Sequence, residues 1–114
     1  MRRFIIVKVS FEAFHFYKTA PIEVGFLRNL HRHMFHVEVK ITVKHDNRAL
    51  EFFMVKHFLN EIIKKKWPTG ELGQMSCEMV AEEIYKAICI QYKMRSGITV
   101  IVSEDLENAG GIET

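Results

Sequence analysis

The sequence predicts an α+β domain whose elements follow the order β-β-α-α-β-β, with an antiparallel sheet and two helices packed on one face of it. Three observations predict this class. Apolar and polar residues alternate over two long stretches near the start of the chain, apolar residues recur at helical spacing in the middle, and alternation returns near the end. With 114 residues, the chain is expected to form one domain, residues 1–114.

The first two predicted strands are the longest elements. Residues 2–16 alternate in polarity, and their more apolar face ends at a histidine. Residues 17–29 contain a proline and a glycine and have no clean period, so they are predicted to form a loop. A second strand, rich in β-branched residues, is predicted from His31 to Lys44. Two long strands joined by a loop are expected to pair as an antiparallel hairpin.

Two helices and two short strands are predicted for the rest of the chain: residues 50–63, residues 77–93, residues 98–102 and residues 109–112. A lysine run and then Trp67-Pro68 end the pattern of the first helix. Ser76 is a good N-cap for the second helix. Gly97 marks the turn into the third strand, which leads to Glu104.

Composition narrows the expected partners and location. The net charge is only +2, and the basic residues do not interleave with aromatic ones in one patch, so no nucleic acid is expected. No stretch has the length of a membrane span or of a signal peptide, which predicts a cytoplasmic protein without a membrane partner. Cys77 and Cys89 would lie about 18 Å apart along one helix, which is too far for a disulfide. They are predicted to be free thiols in a reducing compartment.

Three histidines are predicted to meet at one end of the hairpin. His31 and His33 are two residues apart in a strand, so their side chains share a face. If the first two strands pair, the end of the first strand at His15 lies beside the start of the second. Three imidazoles with one open position are the ligand set of a catalytic zinc site. Each could instead be an ordinary strand histidine, but the convergence of all three favours a metal.

Four short motifs resemble the 6-pyruvoyl-tetrahydropterin synthase family, which includes the 6-carboxy-tetrahydropterin synthases of queuosine biosynthesis. They are Phe11–His15 (F-x-A-x-H), Leu30–Phe35 (L-H-G-H-x-Y/F), Ser76–Ala81 (P-T-x-E-x-x-A) and Val100–Glu104 (a strand that ends in glutamate). Arg32 replaces the usual glycine of the second motif, and the third motif lacks its proline. The motifs have the order and phase of the family, and the resemblance covers nearly the whole chain.

The resemblance implies a fold, an assembly and a reaction. The family has the tunnelling fold, in which subunits join their sheets into closed β-barrels and form hexamers from two trimers. Pockets then lie between neighbouring subunits. A homo-oligomer of this kind is therefore expected, with a pterin as the small-molecule substrate. The implied activity is that of a zinc-dependent carbon–oxygen lyase acting on dihydroneopterin triphosphate or a related dihydropterin, in tetrahydrobiopterin or queuosine biosynthesis.

The resemblance also implies roles for individual residues. His15, His31 and His33 would be the ligands of Zn²⁺. Glu104 would hold the amino-pyrimidine edge of the pterin, since a carboxylate accepts two parallel hydrogen bonds from a ring N–H and an exocyclic amine. The alternative for Glu104 is an exposed acid at a strand end. Glu78 would support the same pocket, or it would only compensate the dipole at the start of its helix.

The sequence departs from the family at the residues that transfer protons. Active members carry a cysteine four residues before the H-x-H pair, where this chain has Leu27. They also carry an Asp-His pair before the second helix, where residues 63–67 contain neither. One branch of the family uses a glutamate in place of the cysteine, and Glu23 in the predicted loop is the candidate for this catalytic base. His36 and His57 are further candidates as proton donors, although a surface or packed histidine is the favoured interpretation of each.

Two alternatives to the enzyme therefore stay open. The first is a catalytically silent oligomer of the same fold that binds zinc and a pterin or purine. The second is a purely structural barrel in which the metal only ties two strands together. Proton abstraction by a well-placed base contributes factors of roughly 10²–10⁴ to a rate, so loss of the usual base is expected to matter.

Overall fold

Four antiparallel strands and two helices make up the fold in the computed structural model, which describes residues 1–114. The strands lie side by side in chain order. Their bounds are Arg3–His15 (β1), His31–Val43 (β2), Ile98–Glu104 (β3) and Asn108–Glu113 (β4). The helices are Phe52–Lys66 (α1) and Cys77–Tyr92 (α2), both between β2 and β3. This confirms the predicted order and the predicted antiparallel sheet.

The hairpin of β1 and β2 is the longest pairing in the sheet. Its register is unbroken, from Arg3 opposite Val43 to His15 opposite His31. Residues of β1 with odd numbers therefore lie beside residues of β2 with odd numbers, and their side chains share one face of the sheet. Strand β3 pairs with the other side of β2, and this pairing ends where Phe35 lies opposite Glu104.

Both helices cover the face of the sheet that carries the alternating apolar residues. The largest fully buried side chains of the shared core come from β2, β3 and the two helices: Phe35, Val37, Val39 and Ile41; Ile98, Val100 and Val102; Val55, Leu59, Val80, Ile84 and Ile88. The opposite face stays open, with Lys8, Ser10 and Lys40 exposed. One buried and one open face explains the period of two in the strands and the amphipathic stripe on each helix.

Side chains cap the first turn of each helix. The Glu51 carboxylate accepts a hydrogen bond from the Met54 backbone N–H at 2.9 Å, so α1 begins at Phe52 and not at the predicted position 50. The Ser76 hydroxyl accepts one from the Met79 N–H at 3.2 Å, as expected of an N-cap. Neither helix is long and apolar enough to cross a membrane.

The segment between β1 and β2 differs from the predicted loop. Residues Ile22–Arg28 form short 3₁₀ turns that are interrupted at Val24. Side-chain and backbone hydrogen bonds hold the segment, with Arg28 Nε donating to the Ala20 carbonyl at 2.9 Å and the Tyr17 N–H donating to the Leu27 carbonyl at 2.8 Å. A 3₁₀ run this short shows no apolar period, which explains why sequence patterning did not predict it.

Truncation of Ile84 tests the assignment of the core. Its side chain is fully buried on α2, so Ile84→Ala is expected to lower the free energy of unfolding by about 2–5 kcal/mol. Ile90 on the same helix is 81% exposed, and Ile90→Ala is the matched control, with an expected change within about 0.5 kcal/mol. Urea denaturation at one protein concentration measures both, and equal losses would contradict this packing of α2.

Candidate metal centre

Three imidazoles meet at the end of the β1–β2 hairpin, as the pairing of the two strands requires. His15 lies directly opposite His31, and His33 lies opposite Ala13, two residue pairs further along the ladder and on the same face. The ring centroid of His15 is 4.5 Å from that of His31 and 5.2 Å from that of His33, while the His31 and His33 rings are 5.0 Å apart. The rings occupy the core face at the rim of the apolar interior.

Hydrogen bonds orient all three rings in the same way. The Nδ1 atom of His15 lies 3.0 Å from the Met75 carbonyl oxygen, and that of His31 lies 2.8 Å from the Asn29 carbonyl oxygen. The Nδ1 atom of His33 lies 2.7 Å from Oδ2 of Asp105. Carbonyl and carboxylate oxygens only accept, so each Nδ1 must carry the hydrogen and donate it. In a neutral ring, Nε2 then presents its lone pair.

The three Nε2 atoms are buried and have no hydrogen-bond partner, and they point toward a common place. Oε2 of Glu104 reaches the same place, 3.0 Å from Nε2 of His15 and 3.0 Å from Nε2 of His33. Lone pairs and a carboxylate oxygen repel one another at this distance unless a proton on Nε2 or a metal cation lies between them. These four ligand atoms, all within 4.8 Å of one another, could bind a metal ion, and the donor set suits a transition metal.

The position of Glu104 follows from the pairing of β2 and β3. Because Glu104 lies opposite Phe35, its side chain is on the core face and is a diagonal neighbour of His33. The resemblance to the pterin family led us to expect Glu104 at the pterin edge. The structure places one of its oxygens among the imidazoles, and the residue also lines the adjacent cleft.

A cleft of about 540 Å³ opens beside the four ligand atoms, which is within the usual range for small-molecule sites. Its walls come from the end of β1, the 3₁₀ segment, the connector before α2, the first turn of α2 and the start of β4; they include Tyr17, Leu27, Met75, Cys77, Glu78 and Asn108. The cleft thus combines apolar walls with a few convergent polar groups.

Glu78 lies in the first turn of α2 and lines this cleft. Its carboxylate lies directly against Gly110 of β4, and any larger side chain at Gly110 would collide with it. This position suits a pocket residue, and it equally suits an acid that compensates the helix dipole.

The expected proton-transfer residues lie elsewhere in the chain. Glu23 is exposed in the 3₁₀ segment and does not line the cleft, whereas Leu27 of the same segment does. His36 lies opposite Ser103, which places it on the open face of the sheet, away from the imidazoles. His57 is exposed on α1. The role of Glu23 as a base stays a prediction.

Two residues of the site had no role in the sequence analysis. Asp105, which contacts His33, follows β3 in a turn, where no motif or period identifies a single aspartate. Hydrogen bonds from His33 and from the Met34 N–H lower the pKa of Asp105. Cys77 was predicted only to be a free thiol, and it is free, buried and part of the cleft wall. The sequence could have indicated a place in the cleft wall for Cys77, because it lies between the N-cap Ser76 and the candidate pocket residue Glu78.

Burial raises the pKa of the Cys77 thiol to about 11, from an ordinary value of 9.0. The carboxylates of Glu104 and then Glu78 add to the effect, while a hydrogen bond from the backbone of Gly110 opposes it. The thiol is therefore protonated at neutral pH and can donate a weak hydrogen bond, but it is not a thiolate nucleophile.

The fold and the four-ligand cluster define the class to which the chain can be compared, a tunnelling fold with a candidate metal centre. The structure of 6-pyruvoyl tetrahydropterin synthase from Caenorhabditis elegans matches it with a TM-score of 0.67 and 15% identity, covering 100% of this chain and 96% of that one. A 6-pyruvoyltetrahydropterin synthase from Plasmodium vivax, in a variant with its catalytic glutamate replaced by cysteine, matches with a TM-score of 0.69 and 16% identity, covering 98% and 97%. These structures confirm the resemblance at the level of the fold.

Two comparisons at the level of sequence give no match. No protein-family model matches the chain, and no curated protein matches it. The four short motifs and the structure therefore carry the comparison with the pterin synthases.

Replacement of His31 tests the metal centre. We expect the wild-type protein to bind one divalent metal ion per chain, and His31→Ala to lose it during gel filtration, because removal of one of the four ligand atoms weakens metal binding. His36→Ala is the matched control, since His36 is on the same strand but on the other face of the sheet. Metal content after gel filtration measures both variants. Retention of metal by His31→Ala, or its loss from His36→Ala, would contradict this site.

The pKa of Cys77 predicts a pH profile for its alkylation. In metal-free Cys89→Ala protein, where Cys77 is the only cysteine, iodoacetamide should react slowly at pH 8 and half-maximally near pH 11. Because folding raises this pKa, the unfolded chain loses the proton first, so the free energy of unfolding should fall as pH rises from 9.0 to about 11. A half-maximal rate near pH 9 would contradict the buried, carboxylate-flanked position.

Proposed function

We propose that this protein is a zinc-dependent pterin synthase or lyase of the 6-pyruvoyl-tetrahydropterin synthase type. Its substrate would be dihydroneopterin triphosphate or a related dihydropterin. The observation that carries the proposal is the convergence of three unpartnered Nε2 atoms whose rings are all held in the same orientation by their Nδ1 partners. Such outer hydrogen bonds are typical of metal-ligating histidines. The adjacent cleft is large enough for a bicyclic ring.

In this proposal His15, His31 and His33 hold Zn²⁺, for which three histidines are a known catalytic ligand set. When bound, zinc supplies Lewis-acid polarisation of oxygen atoms on the pterin side chain. The chain's own contribution is to fix the ring orientations and to keep one side of the site dry, since the three Nε2 atoms are buried.

We assign Glu104 to the amino-pyrimidine edge of the pterin and Glu78 to the support of the same pocket. Both line the cleft. For Glu104, the proposal requires that its carboxylate turn from the imidazoles toward the cleft when the pterin binds, because a bidentate contact needs both oxygens. The rings would then keep the zinc without it.

The proposed mechanism also needs a group that transfers protons to and from the pterin. Besides the histidine ligands, the titratable residues that line the cleft include Cys77, Glu78 and Glu104. The catalytic glutamate of the Plasmodium vivax protein supports a carboxylate base, and Glu23 is our candidate for that role. Glu23 lies in the 3₁₀ segment, whose Leu27 already lines the cleft. For Glu23 to reach the cleft as well, this segment would have to move.

The proposed assembly is a homo-oligomer, expected to be a hexamer of two trimers. The outer edge of β4, and that of β1 apart from the bridge between Phe14 and Glu71, has no partner strand in a single chain, and such edges are normally paired or covered. Joining β1 of one subunit to β4 of the next would close three four-stranded sheets into a barrel.

A second function is favoured by one specific observation, the apolar Leu27 in the cleft wall. Without a base at that place, the protein would be a catalytically silent oligomer that binds zinc and a pterin or purine. The metal centre and the cleft would be unchanged in that case, so only turnover separates the two functions.

Turnover assays with zinc-loaded protein test the proposal. We expect dihydroneopterin triphosphate or dihydroneopterin to be converted, and removal of zinc to abolish conversion. Glu104→Gln should keep zinc but lose at least about tenfold in pterin affinity, because an amide cannot accept two hydrogen bonds from the pyrimidine edge. Chromatography of the products and binding titrations measure these effects, and Glu113→Gln, an exposed glutamate in β4, is the control.

The outcomes separate the candidates. Zinc and pterin binding without conversion of either substrate would favour the silent oligomer. Loss of zinc from Glu104→Gln would make Glu104 a metal ligand and refute its assignment to the pterin. Glu23→Ala with unchanged turnover would remove Glu23 as the base.

A further inference from the structure

We propose that Asp105 is a positioning residue of the metal centre, which orients His33 and strengthens it as a ligand through the contact with its Nδ1 atom. The inference rests on the proposed zinc site and adds to it a residue that acts through His33 and does not touch the metal. The turn that carries Asp105 joins β3 to β4, and the inference gives its first residue a second role at the metal centre.

The contact geometry joins Asp105 to both the ring and the strand that carries it. Oδ2 of Asp105 accepts a hydrogen bond from Nδ1 of His33 at 2.7 Å, and Oδ1 accepts one from the Met34 N–H at 2.9 Å. The Asp105 N–H in turn donates to the Met34 carbonyl at 2.8 Å. One residue thus extends the ladder of β2 beyond Glu104, where the pairing with β3 ends, and sets the direction of the next imidazole.

His33 differs from the other two histidines in the charge of its partner. His15 and His31 donate to neutral backbone carbonyls, whereas His33 donates to a carboxylate. A carboxylate partner fixes the tautomer, as a carbonyl does, and also makes the imidazole a more basic ligand. His33 is therefore the ligand whose affinity for a metal depends most on a single side chain.

The backbone of the turn is consistent with selection for this contact. Asp105 and Leu106 both have positive φ values, of 53° and 63°, and the Glu107 N–H donates to the Glu104 carbonyl at 2.9 Å. Turns of this kind favour Asn or Asp followed by Gly, and leucine at the second position is unfavourable. Leu106 is 73% exposed, so burial of its side chain does not hold the turn in this form. Backbone hydrogen bonds close the turn, and the carboxylate of Asp105 adds the two hydrogen bonds that join it to His33 and to the Met34 N–H.

Substitution by asparagine removes the charge of Asp105 and one of its two acceptor oxygens. Asparagine tolerates a positive φ, so the turn can persist. Its amide has one accepting oxygen, while the aspartate uses two, one for His33 and one for the Met34 N–H. One of these donors must lose its partner or face an NH₂ group in Asp105→Asn.

The experiment measures zinc affinity by competition with a chelator, without any substrate. We expect Asp105→Asn and Asp105→Gly to weaken zinc binding by about 10–100-fold, which is typical for loss of an outer-shell partner. Glycine favours the turn conformation, so Asp105→Gly keeps the test valid if the asparagine variant folds poorly. The unfolding midpoint of the metal-free Asp105→Gly protein should be close to that of the metal-free wild type. If Asp105 had only a structural role, the loss of zinc affinity would be accompanied by a lower midpoint.

One control variant changes the turn without the carboxylate, and another removes an aspartate charge elsewhere. Leu106→Gly alters the same turn without touching the carboxylate, and Asp46→Asn removes an aspartate from the exposed turn after β2. Both should bind zinc within twofold of the wild type. Wild-type affinity in both Asp105 variants would overturn this inference and leave the zinc site intact. Failure of the wild-type protein to bind zinc would overturn the site and the inference together.

Discussion

The register of the β1–β2 hairpin is the constraint on which the rest of the site depends. It is unbroken over thirteen residues of each strand, and it places His15 opposite His31 at one end. A shift by one residue would turn every side chain of one strand to the other face and would separate the imidazoles. The buried valines and isoleucines that fix the register for the core therefore also fix the geometry of the candidate metal centre.

Three further parts of the chain complete the geometry by supplying the partners of Nδ1. The connector before α2 provides the Met75 carbonyl, the segment just before β2 provides the Asn29 carbonyl, and the turn after β3 provides Asp105. None of these acceptors is among the four atoms that could bind the metal. Together they leave three Nε2 lone pairs aimed at one place, so the folded chain bears the cost of orienting the ligands before any ion arrives.

Sequence reasoning predicted the parts of this site that follow from local pattern. The alternation in β1 and β2 predicted both strands, the hairpin and the meeting of the three histidines. The 3₁₀ turns of residues 22–28 were not predicted, because a segment of this length has no period to detect. The contact between Glu104 and the imidazoles was not predicted either, since it depends on the pairing of β3 with β2 across two intervening helices. Asp105 depends on the same distant pairing and on a turn conformation that a single aspartate does not identify.

The position of Glu104 bears on whether a bound metal would have four protein ligands or three with one free position. Structural zinc sites generally use four protein ligands, and catalytic sites keep one position free. Three imidazoles come from a single hairpin whose core holds them rigidly, whereas Glu104 comes from the end of a strand and reaches the site by a longer side chain. A carboxylate in that position can leave the imidazoles for the cleft without any change in the sheet. In the function proposed above, the carboxylate of Glu104 would contact the metal ion when the cleft is empty and the pterin when it is filled, so its position would decide whether one coordination site is free.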